Sequence, residues 1–97
     1  MKLRLTPRAF RDLQDISDYI RTRNPYAAAR VSAAILASFR ILLLFPEIGR
    51  RQSTAGVRKL VVRRYPYLVY YHVDAEANEV FILTVQHPAR DSDYENA

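Results

Sequence analysis

The chain has 97 residues, 49% of them hydrophobic, with two glycines and no cysteine. That size and apolar share describe one ordered domain with a single modest core. The missing cysteine excludes disulfides, thiolate zinc sites and a thiol nucleophile.

The net charge is +5, and thirteen of the fifteen cations are Arg, whose fork pairs with phosphate or carboxylate. The charge is unevenly spread. Between Arg50 and Arg64 stand Arg50, Arg51, Arg58, Lys59, Arg63 and Arg64 with no acid among them. From Tyr65 onward the one cation is Arg90, against Asp74, Glu76, Glu79, Asp91, Asp93 and Glu95. Such a patch suits a polyanion or an acidic protein partner, though a basic protein can also simply carry it as solvated surface. The N-terminus lacks the apolar stretch of a signal peptide. The longest apolar run, Ile41 to Phe45, is too short to cross a bilayer. The expectation is a cytoplasmic protein with no membrane partner.

Lys2-Leu3-Arg4-Leu5 alternates polar and apolar, as a short half-buried strand does. Thr6-Pro7 then reads as a helix start, with a capping hydroxyl before a proline at the first helical position. Phe10, Leu13, Ile16 and Ile20 follow at helical spacing, with Asp12, Asp15 and Asp18 off that stripe. Asn24-Pro25 ends this helix and caps a second, which runs to about Leu44 on a stripe of Val31, Ile35, Phe39, Leu42 and Leu43. One tight break between them predicts an antiparallel hairpin. Pro46-Glu47-Ile48-Gly49 closes the helical part, and Arg50 to Gly56 reads as loop. Strands are expected at about Val57–Arg64, Tyr67–Val73 and Val80–His87, joined by a Tyr65-Pro66 turn and a polar link at Asp74 to Glu79. The fold class is therefore α+β: an N-terminal strand and a helical hairpin packed on a small, mostly antiparallel sheet, in the order β-α-α-β-β-β. One domain spans residues 1–97, with a short flexible tail expected from about residue 91.

Alternation divides the first strand of the meander into two faces. Leu60 and Val62 share one with Arg58 and Arg64; Val57 and Val61 share the other with Lys59 and Arg63. Helices cover only one face of such a sheet, so the mixed second face points to a partner contact flanked by Lys59 and Arg63. An edge strand charged against aggregation would look similar. Tyr65, Tyr67, Tyr70 and Tyr71 could stack on unpaired bases, but strand positions favour packing, and Tyr70 shares parity with Leu68. Tyr94, in an acidic tail, has no obvious packing role. His87 closes the last strand three residues before Arg90. The pair could supply proton transfer and phosphate binding, or a strand-end cap and an ion pair with Asp91 or Asp93. His72 and His87 lack a third ligand, so no metal site is expected. No phosphate loop, nucleophile elbow or paired-carboxylate motif is present, and no cofactor is expected.

Four segments together resemble a known superfamily: Leu5-Thr6-Pro7-Arg8-Ala9, Phe45-Pro46-Glu47-Ile48-Gly49-Arg50, Arg64-Tyr65-Pro66-Tyr67-Leu68-Val69-Tyr70-Tyr71, and Leu83-Thr84-Val85-Gln86-His87-Pro88-Ala89-Arg90-Asp91. In this order, from Leu3 to about Asp91, the chain resembles the RelE/ParE toxins of type II toxin–antitoxin pairs, on the ParE branch. The resemblance implies a cognate antitoxin whose C-terminal segment wraps the toxin, and operator DNA contacted only through that antitoxin. ParE-like members poison DNA gyrase, which makes the chain a binding protein. RelE-like members cut messenger RNA on the ribosome with sheet Lys and Arg and a C-terminal Tyr or His. For gyrase or antitoxin binding the candidates are Arg58, Lys59, Arg63, Arg64, His87 and Arg90. For RNA cleavage they are Arg63, His87, Arg90 and Tyr94, without the Lys-rich loop of the ribonucleases.

Overall fold

The computed structural model describes residues 1–88. Its elements are β1 (Lys2–Leu5), α1 (Pro7–Arg21), α2 (Pro25–Leu44), β2 (Arg50–Arg51), β3 (Arg58–Val61), β4 (Leu68–Asp74) and β5 (Glu79–Gln86). This is the expected α+β order with two corrections, the first being that the strand expected over Val57–Arg64 ends at Val61 and leaves Arg63 and Arg64 on a turn. Arg50 and Arg51, expected in a loop, form a two-residue strand, because each finds a partner in the register of β3. Arg90, Tyr94 and the tail expected from about residue 91 lie outside the described residues.

Both helices begin where their caps place them. The Ala9 N–H donates to Thr6 Oγ1 at 3.1 Å, and the Ala27 N–H donates to Asn24 Oδ1 at 3.1 Å. Each satisfies a donor that the first helical turn leaves unpaired. Val31, Ile35, Phe39 and Leu42 of α2 are buried against the sheet, with Leu13, Ile16 and Ile20 of α1 packed beside them. By length and composition alone α2 could cross a membrane, a property that the search for unbroken apolar runs missed because Ser and Arg interrupt it.

The sheet order is β1-β5-β4-β3-β2. The helical hairpin carries the chain from β1 across to the far side, so β1 joins β5 in parallel and every other pair is antiparallel. Val69, Tyr71, Val80, Ile82 and Val85 meet the helices. Val57, Leu68 and Tyr70 form a second buried cluster with Leu83 beside it. Tyr70 is thus buried with Leu68, as its parity suggested, but outside the core that the helices cover.

A β-bulge links the sheet to α1. Tyr70 lies opposite Thr84 and Tyr71 opposite Ile82, which leaves Leu83 as the extra residue on β5. Three groups near the start of α1 hold this irregular backbone. Thr6 N–H donates to the Ile82 carbonyl at 3.1 Å, and Thr6 Oγ1 donates to the Leu83 carbonyl at 2.9 Å. The Asp12 carboxylate accepts from the Thr84 hydroxyl and from the Val85 N–H, the latter at 3.1 Å. Asp12, off the apolar stripe by spacing, therefore faces the sheet.

Candidate functional site

The cations of the 50–64 segment line the β2–β3 edge. Arg50 lies opposite Lys59, and Arg51 opposite Arg58; Lys59 is in turn opposite Tyr70 on β4. Leu60 and Val62 pack against the main core, while Val57 belongs to the second cluster and Val61 is 58% exposed. The two-faced pattern expected for this strand is therefore present. Arg63 and Arg64 are exposed on the turn to β4, closed by a 2.9 Å bond from Val62 N–H to the Tyr67 carbonyl. Neither guanidinium has an ion-pair partner among the described residues. Arg64 has a φ of 74°, in the left-handed region.

Arg58 differs from Arg63 and Arg64. It is half-buried, and its Nη1 donates to the Gly49 carbonyl at 2.8 Å and the Glu47 carbonyl at 3.1 Å. The buried Tyr71 hydroxyl completes the clamp: it accepts from Gly49 N–H at 2.8 Å and donates to the Pro46 carbonyl at 2.9 Å. The Phe45–Arg50 motif is thus a loop sewn to the sheet, and Arg58 serves that staple. Sequence reading missed the role of Tyr71, because its partners lie 22 and 25 residues away.

Burial pushes the Tyr71 phenol above its ordinary value of 10.0, while the Gly49 N–H and the Arg58 charge pull it down and Glu47 pushes it up. Because the folded value is raised, the associated stability is complete below pH 10 and is lost as pH rises through the folded value. Thermal melts on either side of that pH should show an alkaline fall that is shallower in Tyr71→Phe. An equal slope in both proteins would show that Tyr71 contributes nothing to it.

His87 lies at the turn end of the sheet, with its ring edge-on to Tyr67 at 5.7 Å between centroids. Together with Asp12, Asp15, Ile16, Tyr19 and Val85 they line a cleft of about 290 Å³ between α1 and the sheet. Among the described residues, no Arg or Lys lines it. His72 is on the later half of β4, with Nδ1 2.8 Å from the Gly56 carbonyl. The two histidines are thus separated along the sheet, and the described residues contain no group of three metal-ligating side chains. Arg63 follows β3 and His87 follows β5, so both lie at the end of the sheet where β4 begins. Arg90 and Tyr94, needed to complete the ribonuclease set, lie outside the described residues.

A larger groove, about 1000 Å³, opens below the C-terminus of α2. Leu44 (73% exposed), Phe45 and Ile48 give it apolar lining, and Arg51, Arg58 and His72 give it polar lining. Sequence reading placed Leu44 at the end of a helix and Phe45 in the motif that follows it, and gave neither a binding role.

A sequence profile for the ParE toxin of the type II toxin–antitoxin system parDE matches residues 3–92. Y4kP of Sinorhizobium fredii, named as a toxin, is 38% identical over 86 residues, covering 89% of this chain and 86% of that protein. Among solved structures, the chromosomal ParDE system of P. aeruginosa matches with a TM-score of 0.76 and 26% identity, over 90% of this chain and 95% of that one. The toxin–antitoxin complex RelBE2 of Mycobacterium tuberculosis matches with a TM-score of 0.61 and 30% identity, over 92% of each chain. The match along almost the whole chain, on a fold with this sheet order and helical hairpin, places the protein in the ParE toxin family, within the RelE/ParE superfamily.

Proposed function

We propose that this toxin is held inactive by a cognate antitoxin and, when released, arrests growth by binding DNA gyrase in the cytoplasm. The observation that carries the gyrase reading is the setting of His87. Among the described residues its cleft is lined by Asp12 and Asp15 and by no Arg or Lys. A phosphodiester entering there would meet two carboxylates, whose repulsion opposes the charge that builds up in phosphoryl transfer. The exposed cations stand on the edge and the turn, where they suit contact with an acidic surface. The solved relatives with similar folds are toxin–antitoxin systems, which supports an antitoxin as the first partner. The groove beside Leu44 and Phe45 offers an amphipathic partner segment both apolar and cationic walls.

Ribosome-dependent cleavage of messenger RNA is the second reading, favoured by Arg63 and His87 at the same end of the sheet. Expression without antitoxin separates the two. DNA-damage signalling with translation initially intact supports gyrase; a prompt fall in translation without damage supports RNA cleavage. Under the gyrase reading, Tyr94→Phe should keep growth arrest within about threefold of the parent, since the hydroxyl would perform no chemistry. Loss of arrest in this variant, with antitoxin binding intact, would overturn it.

A further inference from the structure

The protein carries a net charge of +5, but the cleft beside His87 has the opposite sign: its charged lining among the described residues is Asp12 and Asp15. These two carboxylates are not equivalent. Asp12 is committed to the sheet, where its Oδ2 accepts from the Thr84 hydroxyl and the Val85 N–H. Asp15 is exposed and makes no ion pair with any described residue. Arg11, four residues earlier on α1, could reach it by helical spacing, yet the two do not pair. One carboxylate therefore holds the wall of the cleft in place, and the other is left for a ligand.

The remaining lining is chemically independent of that charge and suits the same ligand. Three rings, Tyr19, Tyr67 and His87, stand around the cleft, with Ile16 and Val85 between α1 and the sheet. Tyrosine faces carry negative potential and attract cations. Tyr19 already shows this chemistry within the chain, since the Arg23 guanidinium carbon lies 3.8 Å from its ring centre. The cleft, about 290 Å³, is small. Ligand pockets run from about 300 Å³ upward, so it suits one long side chain rather than a packed helix. An acidic segment entering it would be repelled, and a cationic side chain drawn in.

We propose that this cleft receives a single Lys or Arg side chain of DNA gyrase, with Asp15 as counter-ion and the three rings around its stem and head. This rests on the gyrase reading above and names one contact of that complex. The exposed arginines draw the toxin to an acidic surface; one basic side chain seated in a fixed cleft would set the register that charge attraction alone leaves loose.

The test measures inhibition of gyrase supercoiling by the full chain and, in parallel, its affinity for the full-length antitoxin. Asp15→Asn and Tyr19→Leu should each raise the toxin concentration for half-inhibition at least fivefold. Tyr19→Phe, which keeps the ring, should lose less than threefold. Asp18→Asn removes the same charge one turn further along α1, outside the cleft, and should change inhibition less than twofold. Both Asp15 and Tyr19 are exposed, so their variants should melt within 3 °C of the parent. Antitoxin affinity should stay within twofold throughout. A parent that leaves gyrase untouched would sink the gyrase reading and this contact together. An inhibiting parent with parent-like Asp15→Asn and Tyr19→Leu would sink the contact alone. Equal losses in Asp18→Asn and Asp15→Asn would reduce the effect to bulk charge, and a matching loss of antitoxin affinity would take the contact away from gyrase; either result overturns the proposal.

Discussion

Gly49→Ala should lower stability by about 3 kcal/mol, with a fall in Tm of roughly 10–20 °C. A Cβ at this position would lie 2.6 and 2.8 Å from Cε1 and Cζ of Tyr71, closer still to its hydroxyl. The ring cannot swing aside, because Tyr71 is fully buried and its hydroxyl is tied to both Gly49 and Pro46. Relief requires the 45–49 loop to lift from the sheet, which breaks those two bonds and the two that Arg58 donates to the same loop. The damage should spread to the groove wall at Phe45 and Ile48, so binding to a partner seated there should weaken along with stability. A thermal melt of the variant reads the effect; a Tm within 3 °C of the parent, about half a kcal/mol, would show that the loop is not tethered in this way.

Asp12→Ala should cost about 3 kcal/mol by leaving two groups at the bulge without their acceptor. Val85 N–H and the Thr84 hydroxyl both donate to this carboxylate, and both residues are buried. Asp12→Asn keeps one carbonyl oxygen and should lose about half as much. Urea denaturation measures both, and a parent-like midpoint for Asp12→Ala would rule out the anchoring role. The consequence reaches function through strand parity. Val80 and Ile82 face the helices; the extra residue Leu83 moves the next helix-facing position to Val85. His87 follows Val85 by two and so lines the cleft with Asp15 and Tyr19. Without the bulge, it would fall on the opposite face.

The helices were legible because their signals are local. Thr6-Pro7 and Asn24-Pro25 each hold a cap and a favourable first residue within two positions, and both helices start there. The mixed faces of β3 were legible from alternation. The bulge was not, since an added residue in β5 leaves no mark in composition; it depends on Thr6 and Asp12, more than 70 residues away. β2 was hidden for a similar reason: two arginines in a polar stretch become a strand only because Lys59 and Arg58 lie opposite. In the site, sequence charge found the cationic edge but treated its members alike. The fold separates them, giving Arg58 to the 45–49 loop and leaving Arg63 and Arg64 outward. His87 was visible as a reactive side chain, whereas its acidic surroundings come from α1 and required the tertiary structure.

The most direct test of gyrase binding is supercoiling by purified DNA gyrase in the presence of the purified, folded toxin. Supercoiling should be inhibited, a trapped cleavage complex should accumulate, and pre-mixing with antitoxin should prevent both. Unchanged supercoiling with no trapped complex, at toxin in excess over gyrase, would contradict the gyrase assignment while leaving the fold and the family intact.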